Sequence, residues 1–239
     1  MRFDIMTLFP ELVDRVLSES IIGRARSSGI IEVNCFNIRD WSEDRNRRVD
    51  DTPYGGGKGM LMAAPPVFRC FEAVRDSSDI PAHTVYMSPK GRLLSQPDVV
   101  RLSGYGRIII LCGHYEGVDQ RVVDEICDEE ISVGDYVVTG GELPACILAD
   151  AVSRLVPGVL SSSECFERES HFDGLLEYAQ YTRPYSFRGV DVPEVLISGN
   201  HAKIEEWRRR SSLETTKRQR PDLYEKYLKG GAGNGQSTE

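Results

Sequence analysis

Residues 107–113 read RIIILCG, and this short stretch decides the fold class. Its apolar positions run from Ile108 to Leu111 without alternation, which is typical of a strand that is covered on both faces. A glycine follows at once, as expected where a strand ends in a tight loop. The stretch therefore predicts a central strand in a sheet that carries helices on both sides.

Further strand patterns flank this segment, and helical patterns separate them. The predicted strands are 3–9, 31–36, 84–87 and 135–138, and the predicted helices are 11–26, 64–77, 120–127 and 144–155. Strands that alternate with helices along the chain favour a mainly parallel sheet. We therefore expect an α/β fold for the first two thirds of the sequence.

Composition narrows the class of protein. The 239 residues are 40% hydrophobic and 28% charged, with a net charge of −8, which is typical of a folded chain. There is no apolar run of about 18 residues, and Met1 to Ile5 lack the pattern of a secretory leader. We expect a soluble cytoplasmic protein without a membrane partner.

Cysteine and histidine usage argues against two kinds of site. The six cysteines include no C-x-x-C pair, and the four histidines show no metal-ligand spacing. We therefore expect neither a disulfide framework nor a transition metal held by the protein.

Changes in composition and in hydrophobic periodicity along the sequence predict three parts. Residues 1–160 carry the α/β pattern, 161–174 form a polar stretch predicted to be a flexible linker, and 175–239 are helical with a disordered tail from about 230. Nine basic and five acidic residues lie between Lys203 and Lys229. The acidic total argues against a nucleic-acid partner, whereas this local excess is typical either of a solvated helix face or of an RNA-binding surface.

Glycines mark the candidate ligand site. Three predicted strand ends run into glycine loops at 88–91, 113–117 and 132–144, and ligands of open α/β sheets bind at the carboxyl ends of strands. Each loop alone is typical of an ordinary turn, but three together favour one pocket. The sequence has no G-x-G-x-x-G, P-loop or G-x-S-x-G motif. These loops predict a ligand with an adenine ring and few or no phosphates.

Five blocks of sequence carry a family resemblance. They are DDTPYGGGKGM at 50–60, CGHYEGVD at 112–119, SVGDYVVTGGELP at 132–144, YTRP at 181–184 and LISGNH at 196–201. In this order, they resemble the bacterial tRNA (guanine-N1)-methyltransferases of the TrmD type, in the SPOUT superfamily. The resemblance implies a SPOUT-type, mainly parallel sheet with a deep trefoil knot, a small helical C-terminal domain and a homodimer with composite active sites.

The resemblance also implies a reaction and its cofactor. The substrate is the guanosine immediately 3′ of the tRNA anticodon (position 37), and the methyl donor is S-adenosyl-L-methionine. A magnesium requirement is implied too, with ligands that the sequence does not assign. The implied cofactor-binding residues are Tyr86, Pro89, Gly113, Tyr115, Glu116, Val133, Gly134, Asp135, Tyr136, Val137, Val138, Gly140 and Gly141.

Two residues are implied to be catalytic. Removal of the guanine N1 proton sends negative charge to O6, so the reaction needs a base near N1 and a donor near O6. By resemblance the base is Glu169, where the family usually carries aspartate, and the donor is Arg154. The implied alternatives for the base are Glu167, Asp173 and His171.

The resemblance further implies contacts with the RNA. Ser170 is expected to help hold the base or the guanine. Three aromatic residues are candidates to stack on a flipped guanine: Tyr115, Phe172 and Tyr181. The basic residues expected to contact RNA are Arg183, Arg208, Arg209, Arg210, Lys217, Arg218 and Arg220.

Two other functions remain open from the sequence alone. One is a related knotted methyltransferase that acts on ribosomal RNA. The other is a non-catalytic RNA-binding module that has kept the cofactor fold but lost its base, which the glutamate at Glu169 favours.

Overall fold

A computed structural model of the chain describes residues 1–162 and 169–231. The chain divides into two compact units, Met1–Ser163 and Glu164–Glu239. Residues 163–168 of the predicted linker and residues 232–239 of the predicted tail lie outside the described residues.

The first unit is built on a five-stranded sheet in which every pairing is parallel, with the order β2-β1-β6-β5-β7. The strands are β1 (Arg2–Thr7), β2 (Glu32–Asn37), β5 (Ala82–Leu93), β6 (Arg107–Cys112) and β7 (Glu129–Ser132). The small hairpin of β3 (Asp50–Asp51) and β4 (Leu61–Met62) is separate from this sheet. The predicted mainly parallel α/β sheet is confirmed.

Helices cover both faces of the sheet. They are α1 (Pro10–Leu17), α2 (Ser20–Ser27), α3 (Ala64–Arg75), α4 (Gln96–Ser103), α5 (Gln120–Ile126) and α6 (Glu142–Ser153), with a 3-10 turn at Ile38–Trp41. Ile108 and Ile110 of the central strand pack into a core with residues of α1, α2, α4 and α6. Ile109 and Leu111 point to the opposite core, formed with α3 and α5. The unalternating apolar run of β6 is therefore explained by burial on both sides.

Two predicted elements were wrong. The segment 11–26 is two helices rather than one, because α1 ends at Leu17 and α2 begins at Ser20. Gly23 of α2 approaches the Ser18 carbonyl so closely that a Cβ atom would overlap it. The predicted strand 135–138 is an irregular loop, and the fifth strand is β7, which ends at Ser132. The Ser132 hydroxyl bonds the backbone of Gly134 (2.9 Å to its carbonyl oxygen), which turns the chain there.

A buried charge fixes the amino-terminal edge of the sheet. The Arg107 guanidinium is 1% exposed and pairs with Asp4 (Nε to Oδ2, 2.7 Å). It also donates to the carbonyl oxygens of Arg75 (3.1 Å) and Ser78 (2.9 Å). The Arg107 guanidinium therefore links β1, β6 and the chain after α3 at this edge of the sheet.

The described part of the second unit, residues 169–231, contains two helices and little sheet. They are α7 (His201–Gln219) and α8 (Pro221–Gly231), preceded by a two-stranded hairpin of β8 (Ser186–Phe187) with β9 (Val190–Asp191) and by a 3-10 turn at Glu194–Ile197. The Asn200 side chain accepts a hydrogen bond from the Lys203 amide (3.2 Å) and so caps α7.

The next two observations, on membrane-spanning helices and on cysteines, apply to the described residues alone. None of their helices is both long and apolar enough to cross a membrane. Five cysteines in the described part of the chain are free thiols, and Cys165 lies outside it.

Candidate functional site

A cavity of about 290 Å³ lies at the carboxyl ends of the central strands of the first unit. Its walls are residues 86–90 of β5 and the segments at the ends of β6 and β7, with lining residues from 113–118, 130–133 and 136–141. The predicted glycine loop at 88–91 was wrong, because these residues continue β5, whose pairing with β7 shifts register between Met87 and Arg92. This is the edge at which parallel α/β sheets bind their ligands.

Two of these loops are fixed against each other by backbone contact. The Gly141 amide donates to the Gly113 carbonyl oxygen (2.8 Å), and His114 and Gly140 form an isolated antiparallel bridge. A Cβ atom on Gly141 would lie 2.8 Å from the Cys112 Cα atom and 2.9 Å from the Gly113 nitrogen. Because these are backbone atoms, only glycine allows the two loops to approach this closely.

A tyrosine forms the inner wall. A Cβ atom on Gly113 would lie 2.7 Å from the Tyr86 hydroxyl, so the glycine makes room for this ring. Burial, with a smaller contribution from the Glu130 carboxylate, raises the pKa of the Tyr86 phenol to about 12. The phenol is therefore neutral at physiological pH and keeps its proton for a hydrogen bond.

The loop that follows β7 offers unpaired backbone groups. Within the described residues, the amides of Tyr136, Val137, Val138 and Thr139 make no backbone hydrogen bond. The side chain of Val137 is 82% exposed, and those of Tyr136 and Val138 are also exposed. Free amides and carbonyls beside apolar side chains suit the edge and face of a planar heterocycle such as adenine.

Most of the predicted cofactor residues meet in this cavity. It is lined by Tyr86, Pro89, Gly113, Tyr115, Glu116, Val133, Tyr136, Val137, Val138, Gly140 and Gly141. Gly134 and Asp135 belong to the same loop but are not among the lining residues. Sequence reasoning missed His114, Ser132 and Thr139, which lie between glycine-loop residues that it did select.

The two predicted catalytic residues belong to different units. Arg154 follows α6 in the first unit, is half-buried, and donates its amide to the Asp150 carbonyl oxygen (3.1 Å). Glu169 lines a separate cavity of about 300 Å³ in the second unit, together with Asp173 and Glu177. The Ser170 hydroxyl accepts a hydrogen bond from the Glu177 amide (3.0 Å). The alternative base Glu167 lies outside the described residues, and His171 is exposed.

The predicted RNA-binding arginines differ in their partners. Arg208 pairs with Glu205 (2.5 Å) and lies over the Tyr178 ring, 5.0 Å from its centroid. Arg209 pairs with Asp173 (3.5 Å), and Arg183 is exposed. Two of these three guanidinium groups are therefore already held by carboxylates, which RNA phosphates would have to displace.

The fold and the pocket together define an α/β protein with a cavity for a small ligand at the carboxyl edge of a parallel sheet. The profile of the family described as tRNA (guanine-1)-methyltransferase, TrmD, matches residues 1–226. Curated relatives named tRNA (guanine-N(1)-)-methyltransferase match across almost the full length of both chains. That of Ruminiclostridium cellulolyticum is 55% identical over 95% of this chain and 97% of its own.

Two further relatives of the same name give the same result. That of Geobacter sulfurreducens is 53% identical over 95% of this chain and 92% of its own. That of Clostridioides difficile is 52% identical over 95% and 98%, respectively. The chain belongs to the TrmD family of tRNA (guanine-1)-methyltransferases, and the resemblance found in the sequence blocks is confirmed.

Proposed function

We propose that this chain transfers the methyl group of S-adenosyl-L-methionine to N1 of the guanosine immediately 3′ of the tRNA anticodon (position 37). The observation that carries the proposal is the family match over residues 1–226, which includes every loop of the glycine-walled cavity. The proposal places the enzyme in the cytoplasm, where its RNA substrate is found.

The cavity suits the cofactor in size and chemistry. The free amides and carbonyls of 136–139 can hydrogen-bond an adenine edge, while Tyr86 and Val133 supply apolar contact. The predicted residues Gly113, Gly140 and Gly141 keep the loops close, and Gly134 and Asp135 act by shaping the loop. When bound, the cofactor supplies an activated methyl group on a positively charged sulfur.

The protein must then make guanine N1 nucleophilic. The N1 lone pair becomes available only as the N1 proton leaves, and the resulting negative charge collects on O6. In the proposed mechanism the Glu169 carboxylate accepts that proton, and the Arg154 guanidinium donates to O6. Asp173 lines the same cavity as Glu169 and is the alternative base.

The proposal includes a homodimer, because the first unit has an exposed apolar patch that a second copy of the chain would bury. Leu12 and Val16 on α1, and Leu143 and Ile147 on α6, are all more than 40% exposed. The two helices pack against each other, so these side chains form one surface of the unit. Contiguous exposed apolar surface of this kind marks a protein interface. A second copy of the chain would bury it and complete each composite active site.

Three finer features complete the proposal. The chain path around the 113–117 and 139–141 loops is a deep trefoil knot, which the Gly141-to-Gly113 bond supports by fixing the two loops together. Ser170, Arg183, Arg208 and Arg209 contact the tRNA. Within residues 1–162 and 169–231 there is no group of three or more His, Cys, Asp or Glu side chains that could hold a metal ion, so the proposal assigns no residue to the magnesium ion implied by the family. No step of the proposed mechanism uses a metal.

Methyl transfer to two tRNA transcripts tests the proposal. The transcripts differ only in carrying guanosine or adenosine immediately 3′ of the anticodon, and labelled S-adenosyl-L-methionine reports the product. Transfer to the guanosine transcript alone is expected. Transfer to ribosomal RNA instead would identify the related ribosomal RNA enzyme, and cofactor binding without transfer to any RNA would identify the non-catalytic module.

A further inference from the structure

The second unit has a cleft of about 490 Å³ that the proposed reaction does not use. It lies between one face of α7 and the extended chain before it. Six of its lining residues carry the argument: Tyr181, Trp207, Arg210, Ser211, Glu214 and Arg218. On α7 their spacing of three, four and seven positions places them along one side of the helix.

Hydroxyl groups of α7 hydrogen-bond the backbone of the extended chain that forms the other side of the cleft. Thr216 Oγ1 accepts from the Leu176 amide (2.9 Å), and Ser212 Oγ donates to the Leu176 carbonyl oxygen (2.6 Å). Ser211 Oγ accepts from the Ala179 amide (3.0 Å). These side chains replace the hydrogen bonds that a neighbouring strand would give, so the extended chain is fixed to the helix and delivers Tyr181 to the mouth of the cleft.

Two aromatic rings meet at that mouth. The ring centroids of Tyr181 and Trp207 are 6.2 Å apart, with an angle of 57° between the planes. Tyr181 is 49% exposed. An open aromatic pair of this kind offers a flat face on which an unstacked nucleobase can stack.

The charges of the cleft differ from those beside it. Arg208, Arg209 and Arg220 each pair with a carboxylate, of Glu205, Asp173 and Asp222 respectively. Within residues 1–162 and 169–231, Arg210, Glu214 and Arg218 form no ion pair or hydrogen bond through their side chains. All three are exposed and follow one another at intervals of four residues. Within the described residues, two guanidinium groups without an ionic partner, those of Arg210 and Arg218, therefore lie on either side of the Glu214 carboxylate, which also has none.

We propose that this cleft binds one unpaired nucleobase of the tRNA, outside the guanosine that is methylated. The base stacks on Trp207 and Tyr181, and the phosphates on either side of it bind Arg210 and Arg218. The Glu214 carboxylate, which is acceptor only, takes a hydrogen bond from an amino group of the base and so disfavours uracil. This inference rests on the proposed function for the identity of the RNA.

Tryptophan fluorescence tests the stacking directly. The chain has two tryptophans, and Trp41→Phe leaves Trp207 as the sole one in an otherwise complete protein. An anticodon stem-loop RNA with an unpaired loop is expected to quench Trp207, whereas a blunt duplex of equal length and charge is expected to bind without quenching. Equal quenching by both RNAs, or none by either, would overturn the inference. Methyl transfer by the Trp41→Phe protein, measured in parallel, shows separately whether the proposed function holds.

Charge-matched variants test the phosphate contacts. Arg210→Gln and Arg218→Gln are each expected to reduce the slope of log K against log salt by about one for the stem-loop RNA. Arg24→Gln removes the same charge from an exposed position on α2 and is expected to leave the slope unchanged. The KM for tRNA should rise roughly tenfold in the first two variants with kcat unchanged, which is a loss of about 1.4 kcal/mol of binding. An equal effect of Arg24→Gln would show that the variants act through the net charge of the protein and not through the cleft, and it would overturn the inference.

Short oligonucleotides test the role of the carboxylate. Oligocytidylate and oligouridylate of equal length carry the same charge and similar rings, but only cytosine has an amino donor. The wild-type cleft is expected to bind oligocytidylate more tightly, and Glu214→Gln is expected to abolish that preference while keeping the quenching of Trp207. A preference for cytosine that survives in Glu214→Gln would remove Glu214 from the proposal.

Discussion

The Glu142 carboxylate accepts a hydrogen bond from the Thr7 hydroxyl (2.8 Å), although the two residues are 135 positions apart in the sequence. Glu142 is 4% exposed and opens α6, whereas Thr7 ends β1. The other oxygen of the carboxylate lies 4.0 Å from His114 Nδ1, and a Cβ atom on Gly140 would overlap both groups. One buried carboxylate therefore joins the first strand to two loops of the pocket.

Removing the hydroxyl should weaken this junction. Thr7→Val keeps the shape of the side chain but leaves the buried Glu142 carboxylate without its donor, and the Phe9 amide without its acceptor. We expect a loss of about 1–3 kcal/mol in the free energy of unfolding, because a buried polar group left unpaired costs its full desolvation. Urea denaturation of the full chain measures this. Thr7→Ser keeps the hydroxyl and should recover most of the loss; equal stability of Thr7→Val and wild type would contradict the assignment.

Glycine substitutions should separate backbone contact from side-chain contact in the pocket. Gly141→Ala drives a Cβ atom into the backbone of Cys112 and Gly113, which cannot move without disturbing β6. On Gly134 the atoms nearest to an added Cβ belong to the Tyr136 ring, an exposed side chain that can shift at the expense of one long hydrogen bond to the Val133 carbonyl oxygen (3.5 Å). We expect Gly141→Ala to lower cofactor affinity by about tenfold or more, or roughly 1.4 kcal/mol, and Gly134→Ala to lower it much less. Isothermal titration with S-adenosyl-L-methionine compares them, and the reverse order would show that the pocket is built differently.

The parallel sheet and its ligand edge were predictable because burial leaves a mark on the sequence. The run Ile108 to Leu111 has no polar side, and glycine follows it where two loops must touch. The break between α1 and α2 left no comparable mark, since it depends on how closely Gly23 approaches the Ser18 carbonyl. The wrong strand at 135–138 shows the same limit. Its sequence was interpreted as a strand, but residues 136–138 line the pocket, and their amides make no backbone hydrogen bond within the described residues.

Side-chain partners were less predictable than strands. Arg208, Arg209 and Arg210 are adjacent in the sequence and identical in chemistry, so the sequence assigned them one role. Successive residues of a helix point about 100° apart, and this separates them. Arg208 meets Glu205 and Tyr178, Arg209 meets Asp173, and Arg210 lines the cleft. The pairing of Arg208 with Glu205, three positions away on α7, is local, whereas the contacts of Arg209 and Arg210 arise from tertiary structure that no local pattern records.

The apolar patch on α1 and α6 should hold the proposed dimer together. Ile147→Asp places a charge within that patch, at a side chain that is 47% exposed. We expect the variant to sediment as a monomer and to lose methyl transfer, because burying an unpaired charge is costly. Ile80→Asp, at a position of similar exposure outside the patch, should leave the dimer intact. A dimer that persists in Ile147→Asp would exclude this surface as the interface.

Two variants of Glu169 test the proposed base, one that removes the negative charge of the side chain and one that shortens it. Glu169→Gln keeps the size of the side chain but cannot accept the N1 proton, so kcat should fall by about 10²–10⁴ with the KM for tRNA little changed. Glu169→Asp keeps the charge but shortens the side chain by one methylene group, and a displacement of about 1 Å can cost roughly a hundredfold when geometry is tight.

We expect Glu169→Asp to retain clearly more activity than Glu169→Gln, since aspartate is the residue that the family usually carries here. Arg154→Ala should lower kcat while leaving cofactor affinity unchanged, because the proposed donor acts on O6 of the guanine. Single-turnover methyl transfer measures the chemical step in all three variants. If Glu169→Gln keeps full turnover, the base must be another carboxylate, and Asp173→Asn, in the same cavity, becomes the next variant to compare.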